Sequence, residues 1–381
     1  MKQLFEALRL KLQPTLRKNA VRAAALCAGM AVCTAALADQ PELDYRSADG
    51  LPVLGTLVPE ASARYSRLPD SLQGQVRDEL WNLGLNSAGL SVRFRTDSRC
   101  LGVKWHSRNK FRMNHMTDTG VRGLDLYALT DTGWTFVNSA RPGFASHNNS
   151  SRLASNLPEG TREYMLFLSL YDGTDSLYIG VDSAAMLAAP ALEVPVRTAP
   201  VVMYGTSILQ GGCATRPGMA HTNILQRKLN REVVNLGFSG NARLDPEIAR
   251  LMASAHNPAL FVVDALPNCS ADLVDEKMEN FIAILRAAHP EVPILLVESP
   301  WFPIMRWDAE VEQTLRDKNS RLRAIYERLA ASDTNLHYFE ADGVFAGDTE
   351  NTVDNYHLTD GGFRAFADRL SPVILNIIAN Q

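Results

Sequence analysis

The sequence predicts two folded regions in tandem: a β-sandwich, then an α/β domain built on a parallel sheet. Three observations carry this. Between 53 and 188, short runs alternate apolar and polar residues with turn residues between them, the pattern of half-buried antiparallel strands. Residues 189–200 hold three prolines in twelve positions and read as a linker. From 201 onward, five short apolar runs each precede a helical pattern, and serial β–α units imply a parallel sheet covered on both faces.

The elements follow in order. Lys2, Arg9, Lys11, Arg17, Lys18 and Arg22 precede an apolar, alanine-rich run over 23–38 that ends in Ala36-Leu37-Ala38. A basic start, an apolar stretch and an A-x-A-like end make residues 1–38 a secretory signal peptide, and the protein is expected to be periplasmic or secreted. A membrane anchor is the competing reading. It is disfavoured because the run falls short of the roughly 20 residues a span needs. Removing 1–38 takes the net charge from −4 to −9, which argues against nucleic acid or an anionic lipid surface as partner. Residues 39–188 form the sandwich, with strands expected at 91–96, 101–105, 134–137, 164–168 and 176–181. Residues 201–381 form the α/β domain. Its strands are expected at 201–204, 232–235, 260–265, 294–298 and 336–339, and its helices at 220–229, 246–254, 275–288, 309–331 and 359–378.

The chemistry starts after the first of these strands. Ser207 follows Gly205 and Thr206 at the carboxyl end of 201–204, where open α/β sheets put their ligands. A serine hydroxyl needs a base to take its proton. Asp354 and His357, three residues apart in a loop before the last helix, can supply base and orienting acid, although the same spacing also suits a surface Asp beside a helix cap. Gly237 ends a second strand and Asn268 follows a third, so a backbone N–H and a side-chain amide are available for an oxyanion.

Ser207, Gly237, Asn268 and the Asp354/His357 pair, in this order, resemble the signature of the SGNH (GDSL-type) hydrolase superfamily. Gly123-Leu124-Asp125-Leu126-Tyr127 resembles the G-x-D-L-Y motif of an N-terminal domain fused to one branch of it. The resemblance implies a flavodoxin-like three-layer αβα hydrolase domain after a jelly-roll-like sandwich. It implies Ser207 as nucleophile, His357 as base, Asp354 as its orienting acid, and Ser207, Gly237 and Asn268 as the oxyanion hole. Two departures stand out: Thr206 where the family has Asp, and Leu266-Pro267-Asn268-Cys269 where it has G-x-N-D. The nucleophile elbow of α/β-hydrolases is excluded, because Leu209 stands where its last glycine would be.

Several residues admit two readings. Cys100, Cys213 and Cys269 remain after cleavage; a Cys213–Cys269 bridge competes with three buried thiols. Asp125 reads as a β-turn carboxylate. Arg216 is a ligand-binding cation or a solvated loop residue, His115 a substrate contact or a surface residue, and Trp301 and Phe302 a sugar-stacking wall or core. Neither His115 nor any other histidine shows metal-ligand spacing. The expected protein is therefore an exported serine esterase without metal or cofactor, removing O-acetyl groups from a glycan. A lipid, aryl-ester or thioester acylhydrolase is one alternative, and a glycan-binding protein with an inactive hydrolase domain is another.

Overall fold

Apolar–polar alternation builds the first half of the protein, and continuous apolar strands build the second. The computed structural model describes residues 42–57, 64–345 and 347–380, so the expected signal peptide lies outside the described residues. In the first half, strands β1 (Asp44–Ser47), β2 (Val53–Leu54), β3 (Ser91–Thr96), β4 (Leu101–Ser107), β5 (Leu124–Thr130), β6 (Gly133–Ala140), β7 (Asn148–Ala154), β8 (Arg162–Phe167), β9 (Thr174–Val181) and β10 (Leu187–Ala188) form two antiparallel sheets. One runs β1-β9-β4-β7; the other runs β10-β3-β8-β5-β6, with β2 against β3. Val92 and Phe94, Val103 and Trp105, Leu124 and Leu126, and Leu177 and Ile179 sit at every second position and meet between the sheets. The expected strands do not include β1, β2, β5, β7 or β10. At β7 the reason is local. Its Asn-Asn-Ser-Ser start hides the alternation, and an edge strand tolerates that because only one side of it is paired.

The second half carries β11 (Val196–Gly205), β12 (Arg231–Gly237), β13 (Leu260–Asp264), β14 (Ile294–Val297) and β15 (Leu336–Phe339), all parallel, in the order β12-β11-β13-β14-β15. This is the flavodoxin-like order. Within the central strands, 201–204, 260–263 and 294–297 are apolar at every position because both faces are covered. Val201, Met203, Val233, Val262 and Leu295 pack under the helices His221–Leu229 and Asp360–Ala379. Val202, Tyr204, Val234, Phe261 and Leu296 pack under Pro246–Ala253, Ala271–Ala288 and Ala309–Ala330. β11 starts at Val196, inside the proline-rich stretch, because Val196 pairs with Arg231 before the register shifts to Val201.

The described residues from 43 to 380 form one compact unit. The outer face of the larger sandwich sheet lies on the helix His221–Leu229. Gln226 Nε2 donates to Ser91 Oγ at 3.3 Å, and the Arg227 guanidinium stacks 4.2 Å from the Tyr127 ring. Asp125 lies at the centre of this seam. It sits within β5 rather than in a β-turn, and it is fully buried. Its carboxylate accepts from Arg216 Nη1 at 2.7 Å, from Gly218 N at 2.8 Å and from Ser139 Oγ at 2.5 Å. Arg216 in turn donates to Tyr127 Oη and stacks 3.9 Å from Phe136. The G-x-D-L-Y aspartate thus ties the sandwich to the loop after the nucleophile, and Arg216 is an internal partner rather than a ligand-binding cation.

Candidate active site

Strand register brings the first groups together. Gly205 pairs with Gly237 of β12 on one side and with Asp264 of β13 on the other, so the segments carrying Ser207, Gly237 and Asn268 leave three adjacent strand ends. Thr206 caps the short helix Ser207–Gln210, its Oγ1 accepting from Ile208 N at 3.3 Å. A threonine oxygen fills the capping role that an Asp would take there. Gly211, at φ 104°, ends the helix in the left-handed conformation.

The base arrives on a pinched loop. Thr352 bridges Leu358, and Val353 N donates to His357 O at 2.7 Å. Inside it, Asp354 Oδ1 accepts from the backbone N–H of Tyr356 and of His357, at 3.1 and 2.8 Å. Its Oδ2 accepts from His357 Nδ1 at 2.7 Å. One carboxylate therefore folds the turn and holds the ring, which is what the three-residue spacing achieves. His357 Nε2 stands 2.9 Å from Ser207 Oγ. Partial burial pushes the Asp354 carboxyl up, but the bonds and charge from His357, with the Tyr356 N–H, outweigh it and hold the group below the usual carboxylate range. Ser207, His357 and Asp354 thus lie in one hydrogen-bonded line, the geometry of an activated hydroxyl nucleophile.

The oxyanion donors need one correction. Gly237 does not offer its N–H to the site, because that N–H donates to Asn235 Oδ1 at 2.8 Å. Gly237 is needed for closeness instead: a Cβ there would stand 2.2 Å from Gln210 N, on the helix that carries Ser207. The turn after it, Phe238–Asn241, closes through Asn241 N on Phe238 O and holds Gly240 at φ +67°. Among the described residues the Gly240 N–H has no acceptor. Asn268 Oδ1 accepts from Ala242 N at 3.3 Å, which orients the amide and leaves its NH₂ without an acceptor among the described residues. The Ser207 N–H, at the first position of its helix, has no intrahelical partner either.

The sandwich supplies groups that the sequence did not reveal. Tyr171, in the β8–β9 connection, donates its hydroxyl to Ser207 O at 3.3 Å. Gln210 bridges the two halves: Nε2 donates to Leu170 O at 3.1 Å, and Oε1 accepts from Ser239 N at 3.0 Å. Buried Arg67 donates to Asn86 O, Asn235 O and Gly237 O, and burial lowers its guanidinium to about 9. The loop 109–116 is held by Asp172, which accepts from Asn109 N and Phe111 N at 2.9 and 3.1 Å. It carries His115 to a ring distance of 5.7 Å from His357, so His115 is no remote surface residue. No local motif marks Tyr171, Arg67 or Gln210, because their roles depend on where another domain's loops fall.

The remaining ambiguities are settled in the core. Phe302 is fully buried and packs 5.5 Å from Tyr356, beneath the Asp354–His357 loop; Trp301 is half-buried beside it. Cys100, Cys213 and Cys269 are free, buried thiols, so no Cys213–Cys269 bridge forms. Burial, with the Asp354 charge, pushes the Cys213 thiol up to about 12.

Residues 198–375 match the GDSL-like Lipase/Acylhydrolase family. Residues 43–187 match the GxDLY family, the N-terminus of Esterase_SGNH_hydro-type proteins. The chain belongs to the GDSL/SGNH esterases. Like other members it hydrolyses ester bonds, and the line Ser207–His357–Asp354 is where that family's chemistry would run. Among solved structures, this esterase is similar to a protein from Bacteroides ovatus described as a GDSL-like lipase: 29% identity, TM-score 0.83, covering 88% of this chain and 98% of that one. It shares its fold with a salicylyl-acyltransferase from a tetracycline biosynthetic pathway, at 17% identity and TM-score 0.68, covering 89% and 99%. It also shares it with a family two carbohydrate esterase from Cellvibrio japonicus, at 14% identity and TM-score 0.56, covering 88% and 98%. No curated protein matches the esterase.

Proposed function

We propose that this esterase is exported and removes O-acetyl groups from a glycan. One observation carries the substrate class. A cleft of about 410 Å³ has an apolar floor of Leu83, Phe111, Met113 and Tyr171 with Asn86, Asn109 and Asn241 around it, and Tyr171 is the residue bonded to Ser207 O. Side-chain amides around an aromatic surface suit a sugar ring, whose hydroxyls want paired donors and acceptors and whose C–H faces want apolar contact. A long acyl chain laid there would cover Asn86, the buried one of the three, whose side-chain amide has no partner among the described residues, at about 1–3 kcal/mol.

In this reading Ser207 Oγ attacks the ester carbonyl while His357 Nε2 takes its proton. Asp354 holds the ring through Nδ1 and stabilises the imidazolium. The oxyanion is met by the Ser207 N–H and the Asn268 amide, with the Gly240 N–H as third donor in place of Gly237. His357 then returns the proton to the leaving alkoxide, and water hydrolyses the acetyl-enzyme by the same steps reversed.

The test is acetate release from O-acetylated oligosaccharides, with kcat/KM for acetyl against octanoyl p-nitrophenyl esters. Acetate release and an acetyl preference are expected. An octanoyl preference with no acetate from any glycan moves the assignment to lipid or thioester hydrolysis. Export is read separately: secreted material should begin near Asp39, and an intact Met1 on a membrane-bound product would overturn it.

A further inference from the structure

The buried thiol of Cys213 has no part in ester hydrolysis, yet it lies at the centre of the site. One ligand atom each from His115, Cys213 and His357 lie within 4.8 Å of one another. Two ligands on a tetrahedral zinc ion, at bond lengths near 2.0 and 2.3 Å, stand about 3.5 Å apart, so small side-chain rotations close the set. The two imidazoles are already oriented for a metal. His115 Nδ1 bonds Asn114 Oδ1 at 2.8 Å and His357 Nδ1 bonds Asp354 Oδ2 at 2.7 Å, which leaves His115 Nε2 without a partner among the described residues and His357 Nε2 bonded only to Ser207 Oγ, at 2.9 Å. A hydrogen-bonded Nδ1 behind a ligating Nε2 is the usual outer-shell arrangement of metal-bound histidine. Cys213 is 4% exposed, its sulfur has no hydrogen-bond partner among the described residues, and its backbone sits at φ +74°, a conformation that non-glycine residues rarely adopt.

We propose that His115, Cys213 and His357 form a three-ligand site for a soft divalent metal ion, zinc above all, whose occupancy switches off ester hydrolysis. The thiol S–H bond breaks and its proton leaves to solvent as the sulfur–metal bond forms. The lone pairs of His115 and His357 Nε2 complete the protein ligands. The fourth position falls to water or to Ser207 Oγ, 2.9 Å from His357 Nε2. Inhibition follows directly, because the Nε2 lone pair that binds the metal is the one that must take the Ser207 proton. The ligands come from three loops in two domains, so the metal would also clamp the sandwich loop against the catalytic one.

This inference rests on the esterase reading only for its activity readout. The test titrates Zn²⁺ against p-nitrophenyl acetate hydrolysis in the wild type, His115→Ala and Cys213→Ser, each referred to its own metal-free rate, and follows Co²⁺ binding by its thiolate charge-transfer absorption. Zinc should inhibit the wild type reversibly, with activity restored by a chelator. Loss of either ligand should weaken inhibition about tenfold or more. The cobalt–thiolate band should appear in the wild type and in His115→Ala at higher metal, and vanish in Cys213→Ser. Insensitivity to millimolar zinc, or equal inhibition of all three proteins, overturns the proposal. If the wild type proved inactive on every ester while the cobalt band still required Cys213, the metal site would stand and the esterase reading would fall.

Discussion

The α/β domain and the sandwich reach the catalytic centre by different routes. In the α/β domain, Ser207 and Asn268 follow the ends of adjacent parallel strands, and His357 sits on a loop that Asp354 folds by itself. Their placement is local: strand, short turn, functional group. The sandwich contributes through the connections between its strands, with Tyr171 between β8 and β9 and the loop 109–116 between β4 and β5. Its placement depends on a seam many residues away, where Asp125 holds Arg216 and Gly218. The contrast suggests a division of labour in which one half holds the reacting atoms and the other shapes what approaches them.

Four experiments break or sharpen that division, taken from the largest expected effect. Ser207→Ala should lower kcat by on the order of 10⁴-fold or more, with thermal unfolding unchanged, since only a hydroxyl is lost. Turnover near wild type would falsify Ser207 as the nucleophile. Asn268→Ala should lower kcat by roughly 10²–10³, about 3–4 kcal/mol, with KM nearly constant. A raised KM with kcat held would make Asn268 a substrate-binding residue instead. These two should not depend on the sandwich.

Asp125→Ala tests the other half. It leaves Arg216 without its carboxylate and the Gly218 N–H without an acceptor, and should cost roughly 3 kcal/mol in urea unfolding. KM should rise more than kcat falls, because the sandwich wall loosens while the triad keeps its own bonds. A fall in kcat alone would show that the seam positions the reacting atoms as well.

The last experiment asks whether the unit unfolds as one. His221 is fully buried against Phe363 and Phe366, with neither ring nitrogen hydrogen-bonded, and burial lowers it to about 3. Unfolded, it titrates near 6.5. Between those values only the unfolded chain takes the proton. Stability from this group is therefore complete above pH 6.5 and falls as pH drops toward 3, by up to about 1.4 kcal/mol per unit. His221→Leu should flatten that slope in urea unfolding followed between pH 7 and 4. An unchanged slope would assign the acid sensitivity elsewhere; loss of the α/β signal alone would show that the halves melt separately.

The sequence by itself determined the parallel sheet, the sandwich and the pairing of Asp354 with His357. Each rests on short-range physics: alternation fixes which face of a strand is buried, and a D-x-x-H spacing lets one carboxylate bond two backbone N–H groups and a ring. Tertiary structure alone decided the rest. The Gly237 N–H looked like an oxyanion donor until the fold placed Asn235 Oδ1 against it. Asp125 looked like a turn residue until β5 buried it opposite Arg216. His115 and Cys213 showed no metal spacing because their ligand atoms meet across loops nearly a hundred residues apart in the chain. Sequence spacing constrains groups within one element; which elements share a few ångströms is decided by how the two domains pack.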